Sequence, residues 1–168
     1  ACRMLRLADA KFLAGCSGMV LDYAAREPFW RRNLNYNHGT GHGVGYLGNI
    51  HEAPIGFRWK ATRDAMCEIE PGMVITNEPG IYIEGSHGIR IENELLVRAG
   101  EKNEYGQFLY FEPLTFVPID LDALRPELMT EEEKQLLNAY HQSVYEKISP
   151  YLEAEEKEWL KEYTRPVK

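Results

Sequence analysis

Apolar positions change their rhythm several times along the chain. Over residues 3–14, Met4, Leu5, Ala8, Phe12 and Leu13 recur near one helical face, so the spacing predicts a helix there. Ser17 stands where it can cap a second helix running to about Arg26, and Pro28 then opens a turn. Residues 37–48 are rich in glycine and polar groups, which predicts strand or loop rather than helix. Short apolar runs of strand type follow at 73–76, 81–83, 89–91 and 95–97, separated by Pro71-Gly72, Pro79-Gly80 and Gly85. Residues 108–119 are aromatic and β-branched, but Pro113 and Pro118 predict an edge or irregular strand. From Thr130 the rhythm is helical again. Thr130 and Glu133 fit a capping box, and Leu137, Tyr140, Val144 and Ile148 keep helical spacing until Pro150. A second, acidic helix is expected over 151–163, anchored by Leu152, Trp159 and Tyr163. Helices, then strands, then helices predict an α+β fold.

The length, 168 residues, is that of one ordinary domain, and 44% apolar with 27% charged residues excludes wholesale disorder. No apolar run approaches the roughly 18 residues of a membrane span, so no membrane association is expected. The first residues have no continuous apolar stretch and do not read as a signal peptide. The chain starts without Met, and the expectation is a piece of a longer product. Residues 1–60 carry 8 Lys and Arg against 4 Asp and Glu, whereas the remainder carries 11 against 22. An acidic chain lacks the clustered cations that neutralise phosphates, so nucleic acid is not an expected partner. Arg31 and Arg32, the adjacent basic pair of the first segment, read as an exposed helix end. Cys2, Cys16 and Cys67 are odd in number and have no CxxC spacing, which suits a reducing compartment and makes cytoplasmic the expected location.

Chemistry concentrates in Asn37–Glu52, NHGTGHGVGYLGNIHE, which holds three of the five histidines. His38 and His42 cannot share a helix face, because Gly39, Gly41 and Gly43 disfavour a helix. On an extended segment both point to one side, and His51 joins them only if the chain turns back. Gly43 to Gly48 also matches G-x-G-x-x-G, with Asp64 at a suitable distance, but no buried strand precedes it and Pro54 blocks the helix that a dinucleotide site needs. Glu78 ends an apolar run just before Pro79-Gly80, where it can face a pocket. Alternation in Gly88–Leu95 places Arg90, Glu92 and Glu94 on one strand face, either as a solvated ion-pair face or as the lining of a polar site. Imidazoles with carboxylates suit a transition-metal hydrolase centre. His87 and His141 read as loop and helix surface.

Together, HGTGHGVG followed by His51-Glu52, then EPGMVITNEPGIYI, then HGIRIENELLV resemble the catalytic domain of the Xaa-Pro aminopeptidases (aminopeptidases P), of the pita-bread metallopeptidase family. Gly18–Arg26 and the tail, in FEPLTFVP, Trp159-Leu160 and Thr164-Arg165-Pro166, extend the resemblance over nearly the whole chain. It implies the second half of a pita-bread catalytic domain over residues 1–120 and a helical C-terminal extension over 121–168. It also implies roles. His42, Glu78 and Glu92 would be metal ligands, with Glu78 also the general base and Glu92 bridging two ions. His38 and His51 would hold substrate, His51 at the oxyanion. Arg90 would orient acidic ligands. The implied cofactor is a pair of Mn(II) ions, with Zn or Co as alternatives. The implied substrate is a proline-containing peptide that loses the residue before a penultimate proline, whose imide is rigid and has no N–H.

The family centre takes two further ligands, both Asp, and none of Asp9, Asp22, Asp64, Asp120 or Asp122 falls in their place. The expectation is therefore an incomplete catalytic fragment, inactive alone. Alternatives are an Xaa-Pro dipeptidase (prolidase) or a non-catalytic peptide-binding pita-bread module; a methionine aminopeptidase fits the long tail poorly. Leu137, Tyr140, Val144, Ile148 and Trp159 form an apolar stripe that could serve a homodimer.

Overall fold

The computed structural model describes residues 2–168, with side chains from Met4 onward. In chain order the elements are α1 (Cys2–Ala8), β1 (Lys11–Leu13), α2 (Gly18–Trp30), β2 (Gly41–Gly43), β3 (Glu52–Phe57), α3 (Arg63–Met66), β4 (Val74–Asn77), β5 (Gly80–Ile83), β6 (His87–Arg90), β7 (Asn93–Asn103), β8 (Gly106–Pro113), α4 (Glu131–Ile148) and α5 (Ala154–Tyr163). Six strands form an antiparallel sheet in the order β1-β8-β7-β4-β2-β3, and β5 with β6 makes a separate ribbon. Helices and antiparallel strands segregate as an α+β fold does.

One core lies between α2 and the sheet, where Leu21 and Ala25 meet Ile55, Phe57, Ile75, Leu95, Val97 and Leu109. A second gathers Met4 and Leu5 of α1 against Ile119 and Leu137. In β7, Asn93, Leu95 and Val97 are buried while Glu94 and Leu96 are half-buried, the period-two burial of a strand with one core face.

Several boundaries differ from expectation. The helix expected over 3–14 stops at Ala8, and Lys11–Leu13 pairs with Phe108–Tyr110 as an edge strand. Helix α2 runs past Pro28 to Trp30, because Pro28 lies in the last turn and Arg31 N–H still reaches the Glu27 carbonyl. Strand β3, which Pro54 and Gly56 hide in the sequence, takes the opposite sheet edge, where proline is tolerated. Strand β8 is not an edge; β1 covers it. Glu94 is parted from Arg90 and Glu92, because β6 ends at Arg90 and a new strand begins at Asn93.

At the C-terminus, both sides of the Thr130–Glu133 capping box form. Of the apolar stripe, Leu137 and Val144 are fully buried, Tyr140 and Ile148 half-buried, and Trp159 exposed. In α5 the buried anchor is Leu160, while Trp159 and Tyr163 stack on each other at the surface. His141 is fully buried rather than on the helix surface. Its Nε2 accepts the Ile119 N–H at 3.0 Å, so the proton sits on Nδ1, and Tyr140 donates to the Val117 carbonyl at 2.8 Å. These two bonds fasten segment 115–119 to α4.

Burial, and then the Arg165 charge, holds the His141 imidazole below its ordinary value of 6.5. The folded state thus binds fewer protons here than the unfolded one. Its contribution to stability is complete above pH 6.5 and is lost as pH falls below that value toward the folded-state value. Thermal midpoints measured from pH 7.5 to 5 should fall for the wild type. His141→Gln, which keeps an acceptor without a titrating ring, should flatten that slope; an unchanged slope would remove His141 as its source.

Candidate metal and peptide site

The site begins with a close backbone approach. A Cβ on Gly41 would stand 1.8 Å from the Thr76 carbonyl oxygen, so only glycine lets β2 lie so close to β4. That approach brings the His42 N–H to Thr76 Oγ1 at 3.0 Å, and the Thr76 hydroxyl donates onward to Glu78 Oε1 at 3.0 Å. The Glu78 N–H donates to the Thr40 carbonyl at 2.7 Å. Backbone and hydroxyl together fix Glu78 beside His42, whose Nε2 lies 3.3 Å from Glu78 Oε1.

Tautomer logic sharpens this pair. His42 Nδ1 lies 2.9 Å from the Gly43 carbonyl, which can only accept, so Nδ1 carries the proton. Nε2 is then the ring atom turned toward the carboxylate oxygen, where a neutral imidazole and a carboxylate would share a cation. His38 repeats the pattern, with Nδ1 2.6 Å from the Gly39 carbonyl and a buried Nε2 that has no partner. Residues 44–51 turn the chain back so that Glu52, at the start of β3, lies opposite Gly43, and the His51 ring centroid lies 4.1 Å from that of His42. Arg90, from the end of β6, places Nε 3.7 Å from Glu78 Oε2 and 3.3 Å from Glu92 Oε2. The Tyr82 hydrogen bond, then Glu78 and Glu92, raise the Arg90 pKa further, so it stays charged.

His38, His42, His51, Arg58, Glu78 and Arg90 line one recess of about 260 Å³. Glu92 stands behind Arg90 and reaches the others through it. Among the described residues, no three of His, Cys, Asp and Glu converge closely enough for a closed metal cage. The donor set fits a divalent ion as a partial set: an imidazole nitrogen and a carboxylate already face to face, with a second carboxylate tethered by Arg90. Asp22 is not available as a further ligand, because Arg26 and Thr40 occupy it.

The sequence reading missed two features that position the site. One is the Asp22–Arg26 pair inside α2, fully buried, with Arg26 Nε 2.8 Å from Asp22 Oδ2. The Arg26 guanidinium donates to the carbonyls of Tyr36 at 2.7 Å and His38 at 3.2 Å, and it lies 3.9 Å above the Tyr36 ring. Burial pushes the Tyr36 hydroxyl up to about 12, so it stays protonated against Thr40. This core clamps residues 36–40 and with them His38. The i,i+4 spacing of Asp22 and Arg26 was the available signal. The other feature is Arg58, which a lone arginine at the end of an unrecognised strand did not announce.

A model of metallopeptidase family M24 matches residues 3–99, and one of the C-terminal region of that peptidase matches 107–167. A probable Xaa-Pro aminopeptidase P of Talaromyces marneffei is 44% identical across 98% of this chain and 26% of its own length. Aminopeptidase P2 of Arabidopsis thaliana is 44% identical across 97% of this chain and 23% of its own. The crystal structure of X-prolyl aminopeptidase from Caenorhabditis elegans, described as a cytosolic enzyme with a di-nuclear active site, superposes with a TM-score of 0.88 at 37% identity. It matches 99% of this chain and 27% of that one. An Xaa-Pro dipeptidase from Bacillus anthracis aligns less fully, with a TM-score of 0.54 at 33% identity over 71% of this chain and 29% of its own. The chain spans about a quarter of the length of the relatives it matches.

Proposed function

Because this chain belongs to metallopeptidase family M24 and has its α+β pita-bread fold, we propose that it carries one side of the centre of an aminopeptidase that removes the residue preceding a penultimate proline. The observation that carries this reading is the facing of His42 Nε2 and Glu78 Oε1 in a recess shared with His38, His51 and Arg90. His42, Glu78 and Glu92 would hold the metal, proposed as two Mn(II) ions. When bound, the ions supply Lewis acidity toward the scissile carbonyl and toward water. The remaining two ligands come from outside these 168 residues, since no aspartate here faces the recess; the chain alone is therefore expected not to turn over substrate.

The chain's own residues divide the remaining work. Glu78 accepts the proton of the attacking water, held in place by the Thr76 hydroxyl. His38, with its proton committed to the Gly39 carbonyl, presents Nε2 as an acceptor for a substrate N–H. His51 is the donor toward the carbonyl oxygen as it gains charge. Arg90 draws Glu78 and Glu92 together. No helix among the described residues is long and apolar enough to cross a membrane. The odd number of cysteines without CxxC spacing, and the likeness to an enzyme described as cytosolic, support a cytoplasmic location.

The test is hydrolysis by the intact protein of an Xaa-Pro-Xaa tripeptide beside its Xaa-Ala-Xaa counterpart. The proline peptide should be cut at its first bond. Chelation should abolish cleavage, and Mn(II) should restore it. Cleavage of the Xaa-Pro dipeptide alone would establish a prolidase, and binding without turnover a peptide-binding module; either would overturn the proposal.

A further inference from the structure

A second recess, of about 270 Å³, adjoins the first, and His38, Gly39 and Arg58 belong to both. Trp59 and Lys60 form its far wall, with Lys60 Nζ 5.0 Å from the Trp59 ring centroid. Arg58 is half-buried, yet among the described residues no carboxylate or carbonyl partners its guanidinium. A Cβ on Gly39 would lie 2.9 Å from Arg58 Nη1 and 3.0 Å from Cζ. Glycine here lets the guanidinium lie against the backbone at the junction of the two recesses. Arg90, by contrast, is neutralised by Glu78 and Glu92. Among the described residues the second recess therefore carries two positive charges without a carboxylate partner, and an aromatic wall.

A peptide has one charged end of each sign. Its N-terminal ammonium would be repelled by Arg58 and Lys60, whereas its C-terminal carboxylate would complete them. We propose that the second recess receives the part of the substrate downstream of the scissile bond, with Arg58 binding the free carboxylate of short peptides and Lys60 adding to the field. This rests on the aminopeptidase reading above. It makes Arg58 a specificity-determining residue that favours short peptides with a free C-terminus over blocked ones. Trp59 offers the ring face against which a prolyl or following side chain packs.

The experiment compares an Xaa-Pro-Xaa tripeptide with its C-terminal amide on wild type, Arg58→Lys and Arg58→Gln. It reads kcat/KM on the intact Mn(II)-loaded enzyme and, by calorimetry, Kd on the metal-free protein, where nothing is turned over. Wild type should favour the free acid by about tenfold in both readouts, as a charge-assisted hydrogen bond supplies. Arg58→Lys should keep part of that ratio, and Arg58→Gln should bring it to within about twofold. A merely structural role for Arg58 would weaken acid and amide alike and leave the ratio standing. Equal acid and amide values in wild type, or an unchanged ratio in Arg58→Gln, overturns the assignment while Xaa-Pro cleavage stands. A binding ratio that depends on Arg58 without any turnover supports the recess and overturns the aminopeptidase reading.

Discussion

Glu78→Gln in the intact, Mn(II)-loaded enzyme should lower kcat/KM for an Xaa-Pro tripeptide by about 10²–10⁴-fold, the range of a lost general base. The substitution keeps the shape of the side chain and removes its charge. Thr76 still has an oxygen to donate to, so the backbone course after β4 is retained and the thermal midpoint should shift little. What disappears is the proton acceptor and the carboxylate that faces His42 Nε2 at 3.3 Å. Arg90 keeps Glu92 as a partner at 3.3 Å. Steady-state kinetics and a melting curve on the same preparation separate the two effects. A loss of less than tenfold with the fold intact would remove Glu78 from the chemistry.

Asp22→Ala has the largest expected effect on stability. Asp22 and Arg26 have fully buried side chains, and the arginine receives its charge compensation from that one carboxylate. Removing Asp22 leaves a guanidinium inside the protein with only neutral acceptors, at a cost of about 3–5 kcal/mol. Urea unfolding should report that loss. Replacing the pair together, as Asp22→Leu with Arg26→Met, should recover much of it, because no charge is then stranded. It should not recover substrate affinity, since Arg26 also holds the carbonyls of Tyr36 and His38. A double variant with wild-type affinity would contradict that positioning role.

Most of the candidate site was legible because its side chains come from two short segments dense in reactive residues. His38, His42 and His51 sit among glycines that leave little else for the segment to do, and Glu78 ends an apolar run before a Pro-Gly turn. Extended spacing puts His38 and His42 on one side, and both line the recess. The features missed depend on long-range contacts. Lys11–Leu13 is too short to declare itself and becomes a strand only because β8 offers its edge. Pro54 and Gly56 argue locally against β3, and an edge position lifts that objection. His141 reads as polar in an α-helical stripe until Ile119 brings an N–H to it. Arg58 matters for the partner it lacks, which no local pattern reveals.

The central claim, that His42 and Glu78 in the first recess hold metal together with Glu92 from behind Arg90, is tested most directly by anomalous scattering from crystals of the intact protein grown with Mn(II). The account predicts manganese peaks in the recess, within bonding distance of His42 Nε2 and of the Glu78 and Glu92 carboxylates. An empty recess at saturating Mn(II), or peaks bound only to other residues, would contradict it.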